Sequence, residues 1–105
     1  MSTTNEKTTT YITATFKDKD GNNAAPTGAR YRVDCMTTGT EVSDWATIST
    51  PTAVEEITLT PTEMAIINNG NVSEVKRVTV EGTYGASDSV YEQYDITVTN
   101  LSGVS

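Results

Sequence analysis

The feature that most constrains this chain is an alternation of apolar and polar side chains with a period of two residues. In its first clear instance, Ile12, Ala14 and Phe16 alternate with Tyr11, Thr13 and Thr15. This period is typical of a β-strand that buries one face. It recurs in later segments, and turn-forming residues interrupt it about every ten positions. The pattern therefore predicts an all-β protein.

The length of the chain limits how the strands can be arranged. The 105 residues provide one domain and one core. Threonine, which suits the solvated face of a sheet, occupies 21 positions. Since each predicted strand is apolar on one face only, two sheets are expected to stack. We predict an immunoglobulin-like antiparallel β-sandwich of six to seven strands, with a small closed barrel as the alternative.

The odd or even position of a residue along its strand, which we call its parity, also predicts which side chains point outward. In a strand from Gly28 to Thr37, one face carries Tyr31, Val33 and Cys35, and Arg32 and Met36 lie on the other. By the same parity Tyr84 and Tyr94 point into the core, while Tyr11 and Tyr91 point to solvent. Aromatic and arginine side chains are frequent anchors of protein contacts. The predicted partner-contact residues are Tyr11, Arg32, Met36 and Tyr91.

Three further positions have a structural interpretation. Thr60-Pro61-Thr62-Glu63 has the form of a capping box, so one short helical turn is expected near residues 61–67. Gly82, inside a predicted strand, indicates a bulge or a close contact. Cys35 is expected to be a buried, unreactive thiol.

The two ends of the chain differ in composition. Residues 1–9 have no large apolar side chain after Met1, and they are predicted to form a flexible arm or an arm that orders against a partner. Residues 10–105 are predicted to form the single sandwich domain. Neither an apolar leader nor a membrane-length apolar segment is present. We expect a protein made in the cytosol, without a signal peptide and without a membrane partner.

The charge of the chain limits its partners. Fourteen acidic against seven basic residues leave a net charge of −7. Such a surface is repelled by phosphate backbones and by anionic lipid surfaces. Nucleic acid and membranes are therefore not expected as partners.

The residue inventory argues against catalysis and against bound metals. The chain has no histidine and one cysteine, so histidine-based triads, histidine-ligated metals and cysteine-cluster zinc sites are excluded. The segment from Asp18 to Asn22 resembles a calcium loop, but Ala29 stands at the twelfth position, where such a loop needs a carboxylate. Glu55 and Glu56 are adjacent on a strand and point to opposite faces. We predict no catalytic residue, no metal site and no cofactor.

The order of the motifs resembles a known family. The motifs are Tyr11-Ile12-Thr13-Ala14-Thr15-Phe16, Pro26-Thr27-Gly28-Ala29-Arg30-Tyr31-Arg32-Val33-Asp34-Cys35, Trp45, Ile57-Thr58-Leu59-Thr60-Pro61, Arg77-Val78-Thr79-Val80 and Tyr94-Asp95-Ile96-Thr97-Val98-Thr99-Asn100-Leu101. Together they are similar to the small immunoglobulin-like virion proteins of tailed bacteriophages, which include capsid decoration proteins. The resemblance implies a non-enzymatic structural protein of the virion. Because packaged DNA would repel an acidic module, we expect it on the outside of the capsid, as a decoration or stabilising protein, with the neck or tail as the alternative. Its implied partners are the major capsid protein, other virion proteins or further copies of itself.

Two alternatives remain open from the sequence. A neck or tail component would have the same composition but fewer copies in each particle. A glycan-binding module would use Trp45 and an outward tyrosine as a stacking platform for sugars.

Overall fold

The computed structural model describes residues 2–85 and 88–101, and the backbone alone at Ser2. These residues contain seven strands and no helix. In chain order the strands are β1 (Ser2–Asn5), β2 (Thr10–Thr15), β3 (Gly28–Cys35), β4 (Thr40–Ile48), β5 (Val54–Leu59), β6 (Ser73–Tyr84) and β7 (Asp88–Thr99).

The strands form two sheets. Five strands make the larger sheet in the order β1-β7-β6-β3-β4, and β2 pairs with β5 in the smaller sheet. All pairs are antiparallel except β1 with β7, which is parallel. The predicted all-β immunoglobulin-like sandwich of six to seven strands is confirmed, and the one parallel pair is a difference from the antiparallel prediction.

The core lies between the two sheets and follows the predicted parity. The even-numbered residues of β6 from Glu74 to Gly82 are buried, as are Ile96 and Val98 of β7 and Val33 and Cys35 of β3. Tyr31, Tyr84 and Tyr94 pack at the margin of this core, as predicted, and Cys35 is buried. Each large apolar side chain buried there contributes about 1.5–3 kcal/mol of transfer free energy. The buried apolar residues are Ala14, Phe16, Ala29, Val33, Cys35, Ile57, Leu59, Met64, Val78, Val80, Ile96 and Val98.

Gly82 provides a close contact inside this core. A Cβ atom at this position would lie 2.8 Å from Cδ1 and 2.9 Å from Cε1 of Phe16, and 3.2 Å from Val90. The ring of Phe16, which is almost completely buried, therefore packs directly on the backbone of β6. Of the two structural roles predicted for Gly82, close packing is the one observed, and the β6–β7 register runs through it without a shift.

Two charged side chains also point into the core. Glu74 and Lys76 on β6 are both fully buried, and Lys76 Nζ lies 3.3 Å from Glu74 Oε1. The Glu74 carboxylate also accepts hydrogen bonds from the backbone N–H groups of Ile67 (2.7 Å) and Asn68 (2.9 Å) and from Asn71 Nδ2 (3.1 Å). Burial works to raise the pKa of Glu74, but these hydrogen bonds and the Lys76 charge outweigh it and lower the pKa. The carboxylate thus attaches the loop before β6 to the sheet.

The segment after β5 forms the predicted capping box but a shorter turn. Glu63 accepts a hydrogen bond from the Thr60 backbone N–H (2.9 Å), and the Glu63 N–H donates to Thr60 Oγ1 (3.2 Å). The N–H of Met64 closes one turn on the carbonyl of Thr60. The N–H of Ala65 still donates to the carbonyl of Thr62 (3.3 Å), but the N–H groups of Ile67 and Asn68 donate to the buried carboxylate of Glu74, so the helical path ends before them.

The N-terminal segment differs from the prediction of a flexible arm over residues 1–9. Ser2–Asn5 form β1, which pairs with residues 96–99 of β7. Glu6 is buried and accepts a hydrogen bond from the backbone N–H of Leu101 (2.8 Å), while its own N–H donates to the carbonyl of Thr99. The alternation of side chains and the apolar content of this segment do not predict that it is a strand, because its attachment depends on backbone pairing and on one buried carboxylate. Met1 and residues 102–105 lie outside the described residues.

The Asp18 segment forms a turn, as the sequence indicated. Asp18 Oδ1 accepts hydrogen bonds from the backbone N–H groups of Asp20 (2.9 Å) and Asn22 (3.0 Å). Gly21 takes a positive φ of 83°, which is strained for other residues. The carboxylate therefore stabilises the turn through backbone hydrogen bonds.

Candidate functional site

The outer face of the five-stranded sheet carries ordered rows of side chains. The pairing register places Asp34 beside Arg77 and Asp95, Arg32 beside Thr79 and Gln93, and Arg30 beside Glu81 and Tyr91. Directly opposed residues of neighbouring strands share a face and lie close enough to interact. We use "outer face" for these nine residues of β3, β6 and β7 together with Glu41 and Trp45 of β4.

Ion pairs connect the strands across the outer face. Arg77 binds Asp95 through two hydrogen bonds of 2.8 and 3.1 Å. Arg30 Nε donates to Glu81 Oε1 at 2.6 Å, and the hydroxyl of Tyr91 donates to Glu81 Oε2. These charge-assisted contacts fix the orientations of long side chains before any partner binds.

Arg32 and Asp34 extend this network toward β4. The Arg32 guanidinium donates to both carboxylate oxygens of Asp34, at 3.0 and 2.9 Å, and lies 3.2 Å from Glu41 Oε2. The predicted contact residue Arg32 is therefore on the outer face, but its charge is already shared by two carboxylates.

The pKa values follow from these contacts. The hydrogen bond from Arg77 is the main cause that lowers the pKa of Asp95. The Tyr91 hydroxyl, followed by Arg30, lowers the pKa of Glu81, and the same hydrogen bond raises the pKa of Tyr91. The carboxylates of Asp95 and Glu81 therefore stay charged at neutral pH, which preserves their ion pairs with Arg77 and Arg30.

Trp45 forms the aromatic centre of the outer face. The guanidinium carbon of Arg30 lies over its ring, 4.2 Å from the centroid, and that of Arg32 lies 5.7 Å away. Both distances are within the range of a cation–π interaction. Arg30 thus binds Glu81 and Trp45 at once, so one arginine links β6 to β4.

The structure brings together three of the four predicted contact residues. Arg32 and Tyr91 belong to the outer face, and Tyr91 is 59% exposed. Met36, 47% exposed, borders a depression of about 350 Å³ together with Arg77 and Gln93. Tyr11 is 61% exposed but lies on β2, in the other sheet, where it borders a groove to which Gln93 and Asp95 of the outer face also contribute.

Sequence reasoning missed the roles of Arg30 and Glu81. Arg30 has the same parity as Arg32, which is enough to predict that it points outward. Its partner Glu81 is 51 residues away in the chain, and only the pairing of β3 with β6 brings the two together.

Charge is distributed unevenly over the molecule. Three of the seven basic residues, Arg30, Arg32 and Arg77, lie on the outer face, where four carboxylates pair with them. The other ten acidic residues lie elsewhere in the chain, against four lysines. The outer face is therefore nearly neutral, while the remainder of the protein carries most of the net charge of −7.

Within residues 2–85 and 88–101, no group of three histidine, cysteine, aspartate or glutamate side chains is arranged to hold a metal ion. The same residues include no helix long and apolar enough to span a membrane. Comparisons of the chain with protein-family models, with curated proteins and with solved structures find no match.

Proposed function

We propose that this chain is a non-enzymatic structural protein of a tailed-bacteriophage virion, which attaches to the outside of the capsid through the outer face of its five-stranded sheet. The major capsid protein is the proposed partner. The observation that carries the proposal is the group of Trp45, Arg30, Arg32 and Tyr91 on one preorganised surface. Tryptophan, tyrosine and arginine are the residue types that most often dominate the binding energy of protein interfaces.

Electrostatics support the choice of this face and of this location. A nearly neutral face meets another protein surface without the repulsion that the acidic remainder would cause. The net charge of −7 opposes contact with packaged DNA and so favours the exterior of a particle. The resemblance of the strand motifs to virion proteins agrees with both points.

The first experiment tests the location. Virions of the phage that encodes the chain are purified, and the copy number of the chain relative to the major capsid protein is measured by quantitative mass spectrometry. A decoration protein is expected in proportion to the capsid protein, whereas a neck or tail component is expected in far fewer copies. Absence of the chain from the virions would refute the proposal in both forms.

The second experiment tests the surface. Capsids that lack the chain are titrated with the wild type, with Trp45→Ala and with Arg32→Glu, and Val72→Ser serves as the control because its exposed side chain lies in the loop before β6. We expect each outer-face variant to weaken binding by about tenfold or more and the control to bind as the wild type does. Equal affinity of all four proteins would exclude the outer face as the contact surface. Thermal unfolding of each variant confirms that it is folded.

The glycan-binding alternative receives less support from the geometry. A sugar that stacks on Trp45 needs an aromatic face, and the Arg30 guanidinium lies over the ring at 4.2 Å. A glycan array in which the wild type gives no signal while capsids bind would separate the two functions.

A further inference from the structure

Strand β7 is only partly covered on the side that faces β1. It spans twelve residues, Asp88–Thr99, but β1 pairs with residues 96–99 alone. In the part of the chain that the structure describes, no strand pairs with residues 88–95 on that side. We call this stretch the open edge.

The direction of the backbone groups at the open edge follows from one hydrogen bond. The N–H of Glu6 donates to the carbonyl of Thr99, so the backbone groups of Thr99 point toward β1. Because these groups alternate in direction along a strand, those of residues 89, 91, 93 and 95 point to the same side. The open edge therefore presents a row of backbone donors and acceptors that can pair with an added strand.

The charged side chains along the open edge are all acidic, and one of them, Asp95, is already paired with Arg77. Residues 88–95 include Asp88, Glu92 and Asp95 and no basic residue. Glu92 has the parity of the core residues Val80 and Ile96, yet it is exposed, because the smaller sheet does not cover it. The sandwich is thus open beside β7, with a carboxylate at the opening.

Grooves flank both ends of the open edge. One, of about 420 Å³, lies between β2 and β7 and is bordered by Tyr11, Gln93 and Asp95. The other, of about 570 Å³, is bordered by Asp18 and Asp20 of the turn and by Asp88. The aspartates of the second groove outnumber its one basic residue, a lysine of the same turn. An extended chain along β7 would therefore meet three aspartates at the Asp88 end, and at the other end Asp95, whose charge is shared with Arg77.

The outer edge of β4 is less suited to accept a strand. Its pairing with β3 shifts register twice, between Tyr31 and Val33 and between Val33 and Asp34. Such irregularities twist an edge away from a straight partner. The β6–β7 register is unbroken over all twelve pairs, so the open edge of β7 is straight enough to continue the sheet.

We propose that the open edge of β7 binds a basic, extended segment of a partner protein, which adds to the five-stranded sheet as a further strand. Backbone hydrogen bonds to residues 89–95 provide the affinity, and lysine or arginine side chains that reach Glu92 and Asp88 provide the selectivity. A second copy of this chain is a poor occupant, since two such edges would bring like charges together. The open edge adjoins the outer face, because Tyr91, Gln93 and Asp95 belong to both. The proposed contact uses the backbone groups of β7 and the side chains of Glu92 and Asp88, which are not part of the outer face, and it does not depend on the proposed function.

The test measures binding of a short peptide of alternating lysine and valine to the full chain at physiological ionic strength. Calorimetry gives the affinity, and amide hydrogen exchange of the chain locates the contact. We expect binding together with slower exchange of the Tyr91 and Gln93 amides. A peptide with glutamate in place of lysine is expected not to bind, because its charges repel the edge. A lysine-valine peptide with N-methylated backbone nitrogens is expected not to bind, because it cannot pair as a strand.

Two variants of equal net charge locate the contact. Glu92→Lys is expected to weaken binding of the lysine-valine peptide several-fold, and Glu56→Lys, at an exposed position of β5, is expected to leave it unchanged. Absence of binding, equal binding of the N-methylated peptide, or equal losses in the two variants would overturn the proposal. The proposal would also be overturned if the Tyr91 and Gln93 amides were protected from hydrogen exchange without peptide, because the chain had self-associated through this edge.

Discussion

The contact between Gly82 and Phe16 allows a quantitative test of the core. The perturbation is Gly82→Ala, and the control is Gly28→Ala on the adjacent strand β3. The new Cβ atom at position 82 would lie 2.8 Å from the Phe16 ring, whereas at position 28 it would meet no atom within 4 Å. Carbon atoms prefer separations of about 3.5–4.0 Å, so the buried ring must shift by about 0.7 Å or more.

The expected magnitudes follow from this difference. Overpacking of a core costs about 1–3 kcal/mol, and loss of glycine from the unfolded chain returns about 0.4–1 kcal/mol. Gly82→Ala should therefore lower the free energy of unfolding by about 1–2 kcal/mol. Gly28→Ala, which lacks the steric cost, should raise it by about 0.4–1 kcal/mol. For a domain of this size the change at Gly82 corresponds to a Tm lowered by roughly 5–15 °C.

The assay is urea unfolding, monitored by Trp45 fluorescence and by far-UV circular dichroism. The slope m, which is the change in unfolding free energy with urea concentration, is compared between variants. Adding Phe16→Leu removes the ring edge, so the double variant is expected to lose less stability than the two single variants together. If Gly82→Ala is as stable as Gly28→Ala, or if the effects of Gly82→Ala and Phe16→Leu simply add, the contact does not constrain the core in the way described.

Three further predictions concern the buried and paired carboxylates. The pKa of Glu74 is lower in the folded than in the unfolded chain, so its contribution to stability is complete above about pH 4.3 and disappears as the pH falls through the folded value. Glu74→Gln should therefore reduce the loss of unfolding free energy with falling pH, measured by urea unfolding at a series of pH values. An unchanged pH dependence would contradict the assignment. Glu6→Ala should cost about 1–3 kcal/mol and accelerate hydrogen exchange of the Leu101 amide, while unchanged exchange would show that the carboxylate does not anchor β1. Glu81→Gln should lower the pKa of Tyr91 toward its ordinary value in a spectrophotometric titration, and a pKa that stays raised would point to another cause.

Several elements of the fold are predictable from the sequence because they depend on local patterns. The capping box of Thr60 and Glu63 and the turn at Asp18 use hydrogen bonds between residues at most four positions apart. The outward direction of Tyr11 and Tyr91 follows from strand parity alone. In each case the physical cause lies within one element of the chain.

The N-terminal strand and the buried charges are not predictable in this way. Glu74 and Lys76 occupy inward positions in the alternation of β6. Because charged side chains are normally exposed, the sequence does not predict that these two face the core. Their burial depends on hydrogen bonds that a loop and a neighbouring side chain supply. β1 consists of small polar residues, and it is ordered by pairing with a strand more than ninety positions later in the chain.

The amino-acid sequence by itself determined the strands from β2 onward, the alternation of their side chains between two faces, the turn at Asp18, and the absence of histidine-based chemistry. These follow from a period of two residues and from composition, which need no knowledge of neighbours. Only the tertiary structure decided that Arg30 lies between Glu81 and Trp45, that Tyr11 lies on a different sheet from Arg32 and Tyr91, and that β7 keeps an open edge. The reason is that strand parity sets the side of a sheet on which a residue lies, whereas the order of the strands sets which residues become its neighbours.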